Sequence, residues 1–195
     1  MNKIKLLLAS ALILISTLGH SQAPLAPKNP SVKYPIITDI ERRTPQNLKK
    51  EFPYNIVLKD SLGNFFSSKD VLATKGKPLV LMFWMTTCGP CRLELEAMKA
   101  NFESWQKEVD FRILAISMDF PDRYPNYVER VKKENWPFET IYDEHRQFCD
   151  VMPNGGLNGL PQLFVLDEKG EIKYYHRRYI QGDEAELFAE LKKLK

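Results

Sequence analysis

Two cysteines separated by two residues carry the clearest chemical signal in the sequence. Cys88-Gly89-Pro90-Cys91 directly follows a continuous apolar run, residues 78–84, and opens a segment with helical periodicity. The first turn of a helix has unpaired N–H groups and a partial positive charge, and both favour a thiolate. The thiolate is the attacking species in disulfide exchange. We therefore predict a redox-active pair, with Cys88 as the exposed nucleophile and Cys91 as the buried resolving thiol.

Two other interpretations of the pair remain open at this point. It could be half of a zinc site, for which His145 and Cys149 are the only further ligands that the sequence offers. It could also be a permanent structural disulfide. The position between a strand and a helix argues against both interpretations.

Glu94 is the candidate for moving a proton at this pair. It lies three residues after Cys91, on or beside the apolar face of the predicted helix. A partly buried carboxyl group there could take the proton of Cys91 or return it, as a general base or acid. The alternative is a side chain that leans into solvent or pairs with Arg92 or Lys99.

Other residues with reactive side chains are given structural roles. Cys149 is expected to be a small buried apolar residue rather than a third redox thiol. His145 and His176 have no evident partners in the sequence. We expect no metal and no organic cofactor, because the redox group is the cysteine pair itself.

The first 53 residues predict export. Lys3 and Lys5 precede an apolar run over residues 6–18, and small residues follow, so residues 1–21 are predicted to be a secretory signal peptide. The run is shorter than the ~20 residues of a membrane-spanning helix, although an uncleaved anchor is the alternative. Residues 22–53 contain six prolines and predict an extended leader or tether. The protein is therefore expected in the periplasm or secreted, where disulfides persist.

Charge and cysteine content exclude several classes of protein. The 195 residues carry a net charge of +3, which falls by two once Lys3 and Lys5 are removed. So small a charge predicts no nucleic-acid partner and no attraction to an anionic membrane surface. Three cysteines are too few for a disulfide scaffold.

Residues 54–195 predict one α/β domain that positions the pair. The pattern of apolar residues and turns gives a hairpin, a strand, a helix, a strand, a helix, a short strand, a second hairpin and a final helix. Alternating strands and helices favour a central, mainly parallel sheet with helices on both faces, and the late hairpin adds antiparallel strands.

The segment over residues 83–92 resembles the active-site segment of thioredoxin-like proteins. From Tyr54 onward the chain resembles the exported TlpA/ResA-like branch of that superfamily. The resemblance implies a thioredoxin fold with a four- or five-stranded sheet and an extra N-terminal hairpin. It also implies activity in reducing or oxidising protein disulfides outside the cytoplasm.

The resemblance also implies roles for single residues. Pro161 matches the cis-proline that faces the cysteines in this family, which would present the Leu160 backbone to an extended substrate. Trp84 is expected to pack beneath the active site, and it is the third residue expected to contribute to substrate binding. Glu94 matches a glutamate near the resolving cysteine. Met82 stands where cytoplasmic thioredoxins have a buried aspartate, which leaves Glu94 as the proton-handling group.

The functional hypothesis is a dithiol reductase that acts on disulfide-containing partner proteins and is recharged by a membrane-linked thiol donor. Gly89-Pro90 is the dipeptide typical of reducing thioredoxins. Cytochrome c maturation is one role within the family. The alternatives are a disulfide oxidase or isomerase, a thiol peroxidase, and a metal-binding protein with incidental cysteines.

Overall fold

A computed structural model of the chain describes residues 55–153 and 156–195. The strands in these residues are β1 (Val57–Lys59), β2 (Phe65–Ser67), β3 (Leu79–Trp84), β4 (Arg112–Ser117), β5 (Glu139–Tyr142), β6 (Gln162–Leu166) and β7 (Ile172–Arg177). The helices are α1 (Ser68–Val71), α2 (Gly89–Gln106), α3 (Tyr124–Glu134), α4 (Phe148–Val151) and α5 (Asp183–Lys192). The predicted signal peptide, residues 1–21, and leader, residues 22–53, lie outside the described part.

The described strands form one mixed sheet in the order β2-β1-β5-β4-β3-β6-β7. β3 and β5 each run parallel to β4, and β6 and β7 are antiparallel to their neighbours. The family resemblance implied four or five strands, whereas the sheet has seven. The larger number arises because the antiparallel pair β1–β2 joins the sheet through Lys59, which lies opposite Tyr142 on β5.

β3 is an interior strand of the sheet, between β4 and β6, and all six of its residues are buried. Val80, Met82 and Trp84 face one hydrophobic cluster, and the residues between them face a second cluster on the other side. A strand covered on both faces needs apolar side chains at every position, which is why this segment reads as an unbroken apolar run.

Helices cover both faces of the sheet. α2, α3 and α5 supply Leu95, Tyr127 and Leu187 to the cluster on one face, and α4 supplies Phe148 to the cluster on the other. The crossovers β3–α2–β4 and β4–α3–β5 therefore lie on the same face, as parallel connections of one handedness require. None of the helices in the described ranges is long and apolar enough to cross a membrane.

α2 begins where β3 has ended, in the middle of the sheet. Cys88 caps the helix: its backbone is extended (φ −84°, ψ 105°), and its sulfur accepts the N–H of Cys91. Pro90 occupies the first turn, where the missing N–H costs nothing. The sequence thus places both cysteines at the N-terminus of a helix, just past the carboxyl end of the buried strand β3.

Candidate active site

Cys88 and Cys91 are joined by a disulfide bond, with an S–S distance of 2.00 Å and their Cα atoms 5.3 Å apart. Cys88 is half-buried, whereas Cys91 has no exposed surface. The N–H of Cys91 lies 3.2 Å from the Cys88 sulfur. One sulfur is therefore open to a second molecule and the other is enclosed, which is the asymmetry that the predicted nucleophile and resolving thiol require.

The loop before Cys88 is held by the buried carboxylate of Asp119. This carboxylate accepts the N–H of Thr86 at 2.9 Å and the Thr86 hydroxyl at 2.7 Å. It also accepts the hydroxyl of Ser117 at 2.8 Å. Sequence reasoning missed Asp119. The available signal was its position two residues past β4, at the same edge of the sheet as the cysteine motif.

Glu94 is buried on the sheet side of α2, with 3% of its side chain exposed. Its Oε1 lies 2.6 Å from Nε2 of His176 on β7. It therefore neither leans into solvent nor pairs with Arg92 or Lys99, and Lys99 instead donates to the Glu134 carbonyl. The other oxygen, Oε2, is buried and has no hydrogen-bond partner in the described part of the chain. One oxygen is fixed and the other is open to a further donor.

His176 has partners, contrary to the sequence-based expectation. Its Nδ1 lies 3.1 Å from the hydroxyl of Tyr174, which sits two residues earlier on the same face of β7. If the tyrosine donates to Nδ1, the proton of a neutral imidazole is on Nε2 and points at Glu94. The overlooked signal was the spacing of Tyr174 and His176, which puts both on the inward face of one strand.

A groove of about 290 Å³ opens beside the exposed cysteine. Its walls are mostly apolar and include one cationic side chain. The lining residues are Met85, Cys88, Met118, Arg146, Cys149, Leu157, Gly159 and Leu160.

Leu160 and Pro161 lie where they were predicted. The Leu160–Pro161 peptide bond is cis, which confirms the expectation taken from the family resemblance. Leu160 is half-buried in the groove that contains Cys88. Neither its N–H nor its carbonyl has a hydrogen-bond partner among the described residues. The backbone of this segment is therefore open to an added strand.

Trp84 does not lie on that surface. Its side chain is fully buried between the rings of Tyr127 and Trp136, whose centroids are 6.3 and 5.1 Å away. No part of the indole reaches the groove, so the expected contribution of Trp84 to substrate binding finds no support in the structure, whereas its packing beneath the motif is confirmed.

Cys149 lines the same groove as Cys88 and is not disulfide-bonded. It is half-buried rather than buried, which corrects the prediction. Burial raises the pKa of its thiol, and the Arg146 guanidinium, 3.6 Å from the sulfur, acts in the opposite direction. No group of three or more His, Cys, Asp or Glu side chains in the described ranges could hold a metal ion.

Comparison with known proteins gives relatives along most of the chain. A family model described as the AhpC/TSA family matches residues 48–175. The thioredoxin-like protein YneN of Bacillus subtilis is 32% identical over 108 residues, 52% of this chain and 57% of that protein. The thiol-disulfide oxidoreductase ResA of Halalkalibacterium halodurans is 28% identical over 138 residues, 70% of this chain and 73% of that protein. The match thus spans just over half of the first relative and about three quarters of the second.

Solved structures show the same architecture. The solution structure of a thioredoxin-like protein from Porphyromonas gingivalis has a TM-score of 0.64 at 30% identity and covers 76% of this chain and 94% of that one. The crystal structure of a secreted thiol-disulfide isomerase from Corynebacterium glutamicum has a TM-score of 0.60 at 17% identity, with coverage of 80% and 94%. The second likeness concerns the fold alone. Together they confirm the predicted thioredoxin fold.

Proposed function

The chain belongs to the AhpC/TSA family, and from that membership and the geometry of the site we propose that it is an extracytoplasmic thiol–disulfide oxidoreductase that reduces protein disulfides. The observation that carries the proposal is the difference in exposure between two bonded cysteines at one helix start. Cys88 opens into a groove and Cys91 is enclosed. The relative named thiol-disulfide oxidoreductase ResA supports this class of activity.

The reaction begins from the reduced protein. The Cys88 thiolate attacks one sulfur of the substrate disulfide, the substrate S–S bond breaks, and the leaving sulfur takes a proton from water. Cys91 then loses its proton and attacks the Cys88 sulfur of the mixed disulfide, which releases the second substrate sulfur. Two electrons pass to the substrate, and the protein is left with the Cys88–Cys91 bond seen in the structure.

The second step needs a base for the enclosed Cys91 thiol, and Glu94 supplies it in this proposal. Glu94 lies one helical turn beyond Cys91 and is buried with it. His176 holds Oε1, while Oε2 has no partner in the described part of the chain. A carboxyl group oriented on one side and open on the other can accept a proton without first rotating. When the protein is recharged, the same group returns the proton to Cys91.

The substrate lies along the groove in an extended conformation. The N–H and carbonyl of Leu160, which have no partner among the described residues, are suited to bind a strand of the partner protein, as in other cases of strand addition. The apolar walls, Met85, Met118 and Leu157, cover the rest of that strand. Main-chain recognition of this kind is compatible with several partner proteins, among them apocytochrome c.

Export and recharging complete the proposal. The two lysines and the apolar run at the N-terminus support export. Outside the cytoplasm the oxidised protein needs an external dithiol to return two electrons, and we assign this step to a membrane-linked thiol donor. The donor's attack on the Cys88 sulfur reverses the two steps above.

The reduction potential of the Cys88–Cys91 pair tests the direction of the reaction. The protein without residues 1–21 is equilibrated with dithiothreitol or glutathione buffers, and the reduced fraction is measured by thiol alkylation. A potential near or below about −250 mV supports a reductase, and a potential above about −180 mV identifies an oxidase or isomerase instead.

Activity assays separate the remaining alternatives. Reduced protein is mixed with insulin and with an apocytochrome c peptide that carries a disulfide, and release of thiols is followed. The Cys88→Ser variant should release none. Rapid consumption of hydrogen peroxide, with neither disulfide reduced, would identify a peroxidase and overturn the proposal.

A further inference from the structure

Among the described residues that line the groove beside Cys88, Arg146 is the one with a charged side chain. The other lining residues are apolar, cysteine or glycine. Arg146 lies between β5 and α4 in the left-handed region of backbone space, at φ 54°. A side chain other than glycine is disfavoured there, so the local fold holds the arginine at this position in spite of its backbone conformation.

The guanidinium group is held on the groove wall by weak acceptors. It donates to the carbonyl of Met118 and contacts the sulfurs of Met85 and Cys149 at 3.7 and 3.6 Å. It also lies 4.2 Å from the ring centroid of Phe120, a side chain that is 51% exposed. These contacts orient the planar group, but within the described part of the chain they give it a single oxygen acceptor for five N–H donors.

No carboxylate of the described residues forms an ion pair with Arg146. Glu144 is the nearest acidic residue before it, and its carboxylate pairs with Lys59 at 3.3 Å. Asp143 accepts the N–H of Phe148 through one carboxylate oxygen. Asp150 lies beyond it on α4 and is exposed. A partly desolvated guanidinium without an anionic partner is a recognition group for a carboxylate on another molecule.

We propose that Arg146 selects partner proteins that carry an acidic side chain, Asp or Glu, beside the disulfide to be reduced. The inference rests on the proposed function and adds a substrate preference to it. While Cys88 attacks the partner's sulfur and Leu160 pairs with its backbone, the neighbouring carboxylate lies against the Arg146 guanidinium. This ion pair forms next to the disulfide that is being reduced. It should therefore raise the rate of reduction for partners with an acidic side chain at that position relative to partners without one.

Three synthetic peptides test the preference. Each contains one intramolecular disulfide, and they differ only in the residue beside one cysteine, which is Asp, Asn or Lys. The second-order rate constant for reduction of each peptide by the reduced protein is measured by quenched flow. The wild-type protein should reduce the Asp peptide about tenfold faster than the Lys peptide. R146Q should bring this ratio to within about twofold of one, and R146E should invert it.

A matched control removes the same charge outside the groove. Arg92 is exposed and follows Cys91 directly, but it does not line the groove. R92Q should keep the ratio of the wild type. Cys149→Ser, which alters the sulfur beside the guanidinium, should keep it as well.

Each other outcome overturns the inference. If the wild type reduces all three peptides at equal rates, the groove has no charge preference. If R146Q keeps the preference, or R92Q loses it, the preference comes from general positive potential at the helix start. If the Cys149→Ser variant loses the preference for the Asp peptide, the preference depends on the Cys149 thiol and not on Arg146. If no peptide is reduced at all, the proposed function itself fails and this inference falls with it.

Discussion

The imidazole of His176 meets the carboxyl group of Glu94 at 2.6 Å, although 82 positions separate the two residues in the chain. The contact ties β7 to the helix that begins at the cysteine pair. Both side chains are almost fully buried, with 1% and 3% of their surfaces exposed. A buried carboxyl group is held in one orientation only when its hydrogen bonds come from rigid elements. Here the partner is a side chain on a sheet strand, itself contacted by Tyr174.

Replacing Cys91 with serine should trap a covalent complex between Cys88 and a substrate protein. The mixed disulfide forms but is not resolved, because serine cannot attack the Cys88 sulfur. Non-reducing electrophoresis and mass spectrometry of protein isolated from an extracytoplasmic extract would detect the complex. The Cys88→Ser, Cys91→Ser double variant should trap nothing. A complex that is bonded through Cys149 would contradict the assigned order of attack.

Replacing Glu94 with glutamine should slow resolution of the mixed disulfide by about a hundredfold at neutral pH, since glutamine cannot accept the Cys91 proton. The step is measured by stopped flow, starting from a Cys88 mixed disulfide with a chromogenic thiol. Glu96→Gln is the matched control, because Glu96 is an exposed carboxylate on the same helix. Equal rates for Glu94→Gln and the wild type would remove Glu94 from the mechanism.

Replacing His176 with leucine should lower the free energy of unfolding by about 3 kcal/mol, because both oxygens of a buried carboxyl group then lack a partner. The double variant Glu94→Met, His176→Leu should recover much of this loss, since neither polar group remains. Urea unfolding of the two single variants and the double variant gives the coupling free energy. Additive losses would mean that the two side chains do not stabilise each other.

Replacing Asp119 with alanine should cost about 2–3 kcal/mol of stability and loosen the loop before Cys88, because Asp119 accepts the Thr86 and Ser117 donors. Hydrogen exchange at the Thr86 amide reports the loosening directly. Asp110→Ala removes a carboxylate that is 68% exposed and paired with Lys77, so it should cost less than about 1 kcal/mol. Unchanged protection of Thr86 in Asp119→Ala would exclude the positioning role.

The Cys149 thiol should react slowly with iodoacetamide at pH 8. Burial raises the pKa of this thiol, so little of the reactive thiolate is present at pH 8. The alkylation rate should therefore still rise with pH in the range where the thiol of a free cysteine peptide is already fully ionised. Oxidised protein is used, because its other two cysteines are bonded to each other. Mass spectrometry follows the alkylation across pH 7–10. A rate equal to that of the peptide at pH 8 would contradict the raised pKa.

The cysteine motif and the surrounding elements could be predicted because their signals are local. The helix after Cys88 has its apolar side chains at helical spacing, and β3 is an unbroken apolar run. Both patterns can be recognised in the sequence without knowing how the elements pack against each other. The burial of Glu94 could be predicted in the same way, because its position lies on or beside the apolar face of this helix. Its role as a base for Cys91 stays a prediction.

The partners of Glu94 and Thr86 could not be predicted from local patterns. His176 reaches Glu94 only because β7 pairs with β6 in the register that sets His176 opposite Leu163. Asp119 reaches Thr86 because β3 and β4 are parallel neighbours that end at the same edge, with Trp84 opposite Ser117. Strand order and register are properties of the whole sheet, so local sequence patterns do not give them. The number of strands, seven in the described residues, could not be predicted for the same reason.

The disulfide closes a loop with a sequence separation of only three residues. A cross-link over so short a loop removes little entropy from the unfolded chain, about 2 kcal/mol. The stability of the domain instead resides in the two hydrophobic clusters on either side of the sheet. The chain can therefore gain or lose two electrons next to the carboxyl end of β3 and remain folded, with the reduced form less stable than the oxidised form by about 2 kcal/mol.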